Sequence, residues 1–377
     1  MNNDLFTIVL LHFNQSEYLE NALDKIFIQN YPNIQLIISD DYSKDFNTKK
    51  VEKYVDQQKG KNIKKVLIKR NKENLGTVQN LNSTLDLIEG KYVIFIAADD
   101  ELDNSHVISD IYSEFEKKSK ETNLYIFQTD MYDKELKGFY YKFLDQKVVD
   151  NYKVFDKKDY LNILCKGCFF PSGSTVYRSY FIKEKKFDER FKIIEDWPMY
   201  LYCANNNVKM DFSDYVVLKH RDGGISHSEE TTKFHTMFIM DIYNVYELLV
   251  VPILNKINIA NRFWVVRTYK FYLNKYGTNN HVVKPKDMTY KITNYILILF
   301  YNFINLKNSI NKSKYLGYSL IMGIMYLLNI SEGINLFSKV YLLVVFFLIV
   351  INIIYDIVQY IYNILNRKNI EREKNRR

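Results

Sequence analysis

The sequence predicts an α/β fold, a mostly parallel sheet flanked by helices, followed by a helical, membrane-associated C-terminal region. Three features carry that expectation. Over the first hundred residues, apolar runs of strand length alternate with segments whose apolar residues recur every three or four positions. The strand runs halt at acidic or amide side chains, and in such sheets the loops beyond the strand ends are where ligands bind. Past about residue 235 the chain turns helical and then apolar on all sides.

Phe6–Phe13 (FTIVLLHF) reads as a buried strand, and Ser16–Asn30 as a helix with Leu19, Ala22, Leu23, Ile26 and Phe27 on one face. The NYPN stretch from Asn30 breaks that helix. Ile34–Ser39 is a second strand and delivers Asp40 and Asp41. A charged helix over Asp45–Gln58 leads to a third strand, Lys64–Ile68. A loop with Asn74 and Gly76 precedes helical spacing over residues 77–89, closed by Gly90 as an expected left-handed cap. Val93–Ala98 is the fourth strand, and it stops at Asp99, Asp100 and Glu101. Adjacent carboxylates repel, and one protonates unless a cation sits nearby. The alternative is that they serve the first turn of a helix opened by Asn104 or Ser105. Repeated strand–helix–strand units imply right-handed crossovers.

A chain of 377 residues has room for two or more domains. The boundaries expected are residues 1–230 for the α/β domain, 231–310 for a linker with surface helices, and 311–377 for an apolar hairpin with a basic tail. The net charge of +8 is largely local, because RKNIEREKNRR at the C-terminus carries six Lys or Arg against two Glu. Zinc-finger spacings and basic helices interleaved with aromatics are absent from the sequence, so nucleic acid is not an expected partner. Three cysteines argue against a disulfide framework, and Cys165-x-x-Cys168 reads as accidental. The N-terminus has no basic region and no cleavage signal, which places the first domain in the cytosol.

The strand ends gather His12, Phe13, Asn14, Asp40, Asp41, Asp99 and Asp100. That convergence suits a cation, or an anion carried with a hard divalent cation that prefers oxygen ligands. In the second half, FFPSGSTVYR (Phe169–Arg178) places Gly173 and Ser174 either where an acceptor approaches the backbone or in a plain turn. In IIEDWPMYLY, Pro198 fits the first turn of a helix, so Glu195 or Asp196 belongs at its N-cap. The helix dipole is expected to keep that carboxylate ionised, a state suited to a general base. KHRDGGISHS (Lys219–Ser228) reads as a glycine-bearing loop with His220 and Arg221 as its cations.

The segments TIVLLHFNQSEYLENALDKIFIQNYPNIQLIISDDYSKD, ENLG, GKYVIFIAADDEL and IIEDWPMYLY resemble, in order and spacing, family-2 type glycosyltransferases with the GT-A fold. The resemblance spans roughly residues 5–230. It implies a GT-A, Rossmann-like domain that transfers a sugar from a nucleotide-diphosphate donor to a glycan or lipid-linked acceptor, as in surface-polysaccharide synthesis. It implies that His12, Phe13, Asn14 and Glu17 border the nucleotide, that Asp41 bonds the base, and that Asp99 lies near the ribose or sugar. Asp100 would hold Mn²⁺ or Mg²⁺ against the diphosphate, which His220 and Arg221 would also reach. Asp196 would take the proton of the acceptor hydroxyl, with Glu195 as helper. Gly173, Ser174 and Trp197 would belong to the acceptor side, Trp197 stacking on a sugar ring. Ala97 stands where many relatives carry the first Asp of D-x-D-D, leaving one carboxylate fewer.

Two other readings compete. A sugar-phosphate nucleotidyltransferase would want a glycine-rich basic turn after the first strand, where this chain has HFNQSEY. A membrane-tethered nucleotide-sugar binding protein without turnover is conceivable from Ala97, while the intact Glu195–Asp196 pair speaks against it.

In the tail, Val340–Tyr355 (VYLLVVFFLIVINIIY) carries no charge and approaches the length of a bilayer span. Tyr315–Ile330 offers a second span. Together they would keep both KNSINKSK and the basic tail at the cytoplasmic face of the membrane. A shallow hairpin or interfacial helices is the alternative, and the stretch from Tyr290 to Leu306 reads as an amphipathic surface helix.

Overall fold

A computed structural model describes residues 4–144, 146–152, 155–223 and 233–258, with 261, 262, 264–266, 268, 269 and 272 beyond them. The expected tail helices and spans, from Tyr290 to the C-terminus, lie outside the described residues. Described elements run β1 (Phe6–His12), α1 (Ser16–Phe27), β2 (Ile34–Asp40), α2 (Thr48–Gln58), β3 (Ile63–Arg70), α3 (Thr77–Asn82) and β4 (Tyr92–Ala97). They continue with β5 (Glu101–Leu102), α4 (Val107–Glu116), β6 (Thr122–Tyr132), β7 (Phe139–Lys142), α5 (Gln146–Tyr152) and α6 (Lys157–Leu164). The last are β8 (Thr175–Arg178), α7 (Ser179–Lys185), α8 (Asp196–Asn205), β9 (Lys209–Arg221) and α9 (Lys233–Val245).

The strands form one sheet in the order β3-β2-β1-β4-β8-β6-β9-β5, with β7 paired to β6. The β3-β2-β1-β4 half is parallel, as the alternating pattern predicts. Beyond β4 the sheet is mixed, which corrects the expectation of a mostly parallel one: β8 is antiparallel to β4 and β6, β7 to β6, and β5 to β9. The reason is strand length. Strands of two and four residues are too short to show alternation in the sequence, and only a full crossover enforces parallel pairing.

Strands β1, β2 and β4 are apolar on both faces because helices cover both, whereas the edge strand β3 carries Lys64, Lys65, Lys69 and Arg70. Ile8 and Leu10 face α1, α2 and α4, while Val9, pointing the other way, joins a second core with Val78, Phe95, Tyr200 and Trp197. Burying each such side chain stabilises the fold by about 1.5–3 kcal/mol. The register pairs His12 with Asp40 and Leu11 with Ala97, so the carboxyl ends of three strands finish level.

Two local readings change. Helical spacing over 77–89 yields only α3 and a 3₁₀ turn at Leu85–Leu87. The hydroxyls of Ser83 and Thr84 donate back to the Asn80 and Leu81 carbonyls, at 2.6 and 2.7 Å, and so compete with continuing the helix. Gly90 is not a left-handed cap. It permits a close crossing instead, since an added Cβ would lie 2.6 Å from both the amide nitrogen and the hydroxyl of Thr7.

From Phe234 to Lys256 the chain is long and apolar enough to cross a membrane by length and composition. One side of this segment is docked on the domain, however: Asp241, Val245, Tyr246 and Val250 are buried. Beyond α9 the backbone passes through a π-turn at Tyr246–Val250 and a 3₁₀ turn at Val251–Lys256, where Pro252 cannot donate an N–H.

Candidate functional site

A cleft of about 610 Å³ opens at the carboxyl ends of the strands. It brings together Asp99 and Asp100 from the turn after β4, Gly173 before β8, Glu195, Asp196 and Trp197 at the head of α8, and His220 from β9. His12, Phe13, Asn14, Glu17, Asp41, Ser174 and Arg221 do not line it.

The acidic turn is tight: the Asp100 amide donates to the Ala97 carbonyl at 3.1 Å. Asp100 Oδ1 lies 2.9 Å from His220 Nδ1 and accepts the Arg221 N–H at 3.2 Å. The Asp100 charge holds the imidazole of His220 well up, to about 9, against the cost of its burial. Asp99 is pushed up to about 6, first by burial and then by the charge of Asp100, and Gln15 donates to its carboxylate. Among the described residues, no three His, Cys, Asp or Glu side chains are grouped to hold a metal alone. Adjacent Asp99 and Asp100 do fit a hard cation whose remaining ligands are substrate phosphates and water.

His220 and Arg221 belong to strand β9, not to a loop, because β9 stays paired with β6 as far as Arg221 opposite Tyr132. Arg221 is not free to reach a ligand. Its Nε donates to the Asp99 carbonyl at 2.9 Å, another nitrogen donates to the Lys134 carbonyl, and the guanidinium lies over the Tyr18 ring. It braces the acidic turn. Residues 224–232 lie outside the described residues.

At the other wall, α8 begins at Asp196 with Glu195 as its cap residue, and Glu195 makes no capping hydrogen bond. Asp196 Oδ1 accepts the Trp197 N–H at 2.6 Å, and Oδ2 accepts the Cys168 thiol at 3.2 Å. Ser172 donates to Glu195. Both carboxyls are pushed up by burial, Glu195 to about 8 with the charge of Asp196 adding to it. The sequence expectation took only the helix dipole into account, whereas burial acts against it here and raises both carboxyls. Desolvation in an apolar wall outweighs the backbone N–H groups of Trp197 and Asp196, which favour the ionised Asp196. Two adjacent carboxyls of this kind titrate as a unit.

The remaining expected residues divide clearly. Ser174 is fully buried and faces the sheet, its hydroxyl donating to the Phe127 carbonyl and accepting from Thr129. Its neighbour Ser172 is the one that meets the site. Trp197 is 3% exposed, its indole N–H donates to the Leu164 carbonyl and its ring meets Tyr246 edge-on, so no ring face is open for a sugar. Gly173 lines the cleft and packs closely on the chain itself, since an added Cβ would lie 2.8 Å from Leu218 and 3.7 Å from Asp100 Oδ2.

On the β1–β2 side, His12 is buried with both ring nitrogens engaged, Nδ1 with Asp40 and Ser43, Nε2 with Ser16. Asn14, at φ 53°, bonds Ser43 and the Lys44 amide. Asp41 is buried and accepts from Asn71, Leu75 and Gly76, which shapes the loop before α3. Phe13 sets its ring edge-on to Phe234, and Glu17 is exposed in the first turn of α1. His12 and Asp41 thus organise the strand ends. Sequence reasoning missed Gln15, Cys168 and Ser172, whose only signal was proximity to the quoted motifs.

Residues 7–184 match the family described as Glycosyl transferase family 2. The chain is 26% identical over 227 residues to an uncharacterized glycosyltransferase of Methanocaldococcus jannaschii, covering 59% of this chain and 72% of that protein. It is 30% identical over 185 residues to the GalNAc(5)-diNAcBac-PP-undecaprenol beta-1,3-glucosyltransferase of Campylobacter jejuni, covering 49% of this chain and 55% of that protein. Among solved structures, S. aureus TarS 1-349 in complex with UDP-GlcNAc aligns at 18% identity and a TM-score of 0.49, over 79% of this chain and 80% of the other.

Proposed function

We propose that this chain, which belongs to glycosyl transferase family 2 through residues 7–184 and is a nucleotide-sugar-dependent glycosyltransferase, inverts the sugar it transfers, using Asp196 as general base. One observation carries the reading. The carboxylates after β4 and the carboxyl pair at the head of α8, about a hundred residues apart in sequence, line one cleft together with Gly173.

In that arrangement Asp196 takes the proton of the acceptor hydroxyl while the hydroxyl oxygen forms its bond to the anomeric carbon. The bond from that carbon to the diphosphate oxygen breaks on the opposite side, which inverts the centre. Glu195 stands beside the base, and Ser172 and Cys168, donating to the pair, keep it oriented. Asp99 and Asp100 face the donor, and Asp100, with Asp99 beside it, would hold a divalent cation, while the protonated His220 adds positive charge next to it. When bound, Mn²⁺ or Mg²⁺ there supplies positive charge against the departing diphosphate. The Ala97 position offers no further ligand.

The acceptor is a glycan or a lipid-linked glycan. The Campylobacter relative acts, by its name, on an undecaprenol-linked substrate, and the acceptor half of the cleft is walled by Phe238, Ile242, Tyr246 and Trp264. Membrane attachment at the cytoplasmic face, through the apolar segments after residue 311, would bring such an acceptor within reach. A role in surface-polysaccharide synthesis follows from the same acceptor class.

The test is turnover by the detergent-purified full chain with Mn²⁺ and a panel of nucleotide sugars, wild type against Asp196→Asn. Loss of transfer in the variant with nucleotide binding retained supports the base. Undiminished transfer removes it, and absence of any nucleotide binding removes the donor site.

A further inference from the structure

Asp241 lies in α9, outside the residues matched to the family, and is buried. Its Oδ2 accepts three consecutive backbone N–H groups, those of Lys192 at 2.8 Å, Ile193 at 2.6 Å and Ile194 at 3.2 Å. Successive amides converging on one carboxylate oxygen form an anion nest, and each hydrogen bond is strengthened by the charge. The next two residues in the chain are Glu195 and Asp196. The same segment is held from its other side, because the Lys192 carbonyl accepts the N–H of Val78 at 3.2 Å. Gly76 packs against that carbonyl so closely that an added Cβ would lie 2.9 Å from it. Gly76 in turn donates its own N–H to Asp41 at 2.9 Å. Two buried carboxylates from distant parts of the chain thus clamp the segment leading into α8, Asp241 directly and Asp41 through the loop before α3.

We propose that Asp241 is a positioning residue for the catalytic carboxyls: by fixing the 192–194 backbone it aims Glu195 and Asp196 into the cleft, and it makes the docking of α9 a condition of activity. The proposal rests on the assignment of Asp196 as base. A general base must stand within hydrogen-bond reach of the proton it removes, and displacement of the reacting groups by about 1 Å costs on the order of a hundredfold in rate. Asp241 bonds neither the reacting atoms nor the donor-side carboxylates, and its charge reaches only Glu195 of the catalytic pair, so its effect should fall on the chemical step and spare donor binding. An alternative role in overall stability would instead loosen the whole domain.

Two readouts on the full chain in detergent separate these. Amide hydrogen exchange compares wild type, Asp241→Asn and Asp241→Leu. In the Leu variant the amides of 192–194 should exchange at least tenfold faster while those of β1, β2 and β4 keep their protection. Unchanged exchange at 192–194, or acceleration spread evenly through the sheet, overturns the proposal. Kinetics with the donor found by screening supplies the second readout. The Leu variant should lose at least tenfold in kcat with the donor KM within twofold of wild type, and Asp241→Asn, which keeps an acceptor oxygen, should recover part of the loss. Equal changes in kcat and KM, or no recovery in the Asn variant while it remains folded, also overturn it. The exchange readout does not depend on chemistry: a loosened 192–194 segment in a chain whose Asp196→Asn variant still turns over refutes the base assignment while leaving the clamp intact.

Discussion

His220 Nδ1 stands 2.9 Å from Asp100 Oδ1, joining the end of β9 to the turn after β4 across a separation of 120 residues. The same nitrogen lies 3.0 Å from Oδ2, so the contact orients the whole Asp100 carboxylate, which lines the cleft. Chelation with EDTA should therefore abolish transfer, and added Mn²⁺ should restore it. Asp100→Asn should lower kcat/KM for the donor by about a hundredfold or more, the scale of a lost electrostatic contact to a leaving group. Full activity of that variant without added metal would refute the assignment.

Replacement of Asp196 by Asn should reduce kcat by about 10²–10⁴, the range for a general base, with little change in the melting temperature. Initial rates of nucleotide release, measured together with thermal unfolding, check both parts.

The pH dependence has a defined sign. Burial raises the Glu195–Asp196 pair, Glu195 to about 8, so the deprotonated base accumulates only as pH rises. Activity should climb from pH 6 towards pH 8, and Glu195→Gln should move that rise to lower pH by removing the competing carboxyl. Stability runs the other way. A raised carboxyl favours the folded state while protonated, so its contribution is complete below the ordinary glutamate range and fades as pH climbs to about 8. The melting temperature of wild type should fall relative to that of Glu195→Gln, which does not titrate, as pH rises over that window.

Cys168 donates its thiol to Asp196 Oδ2 at 3.2 Å. Cys168→Ala removes a donor that favours the ionised base, and the acid limb of the activity profile should move up by about half a pH unit to one unit. Cys168→Ser should stay near wild type. An unshifted limb in the alanine variant would mean the contact does not bear on the base.

Gly90→Ala should destabilise the fold by about 1–3 kcal/mol, the cost of forcing an atom into a packed crossing, because its Cβ would press on Thr7. Denaturant unfolding measures it. Gly223, at φ +101° with open space around its Cβ position, provides the contrast of backbone strain without a clash.

Much of the donor half was legible in the sequence. Strands buried on both faces write near-continuous apolar runs, and β1, β2 and β4 appear within a residue or two of where those runs fall. The motif SDDYS located a turn correctly but not its chemistry. Asp41 proves to be occupied by three intramolecular donors, which no spacing rule could reveal. Ser172 and Ser174 illustrate the same limit, since adjacent alternatives in one loop face opposite ways and only the pairing of β8 decides which one meets Glu195.

From the sequence alone came the order of strands and helices in the first hundred residues, the acids at their ends and the pair heading α8, because local periodicity and capping chemistry are short-range. Tertiary structure decided which of those acids share a cleft, which are sealed by backbone amides, and that Asp241 of α9 grips the segment before Glu195. Those outcomes depend on desolvation and on contacts between residues tens to more than a hundred positions apart, for which a linear pattern has no signal.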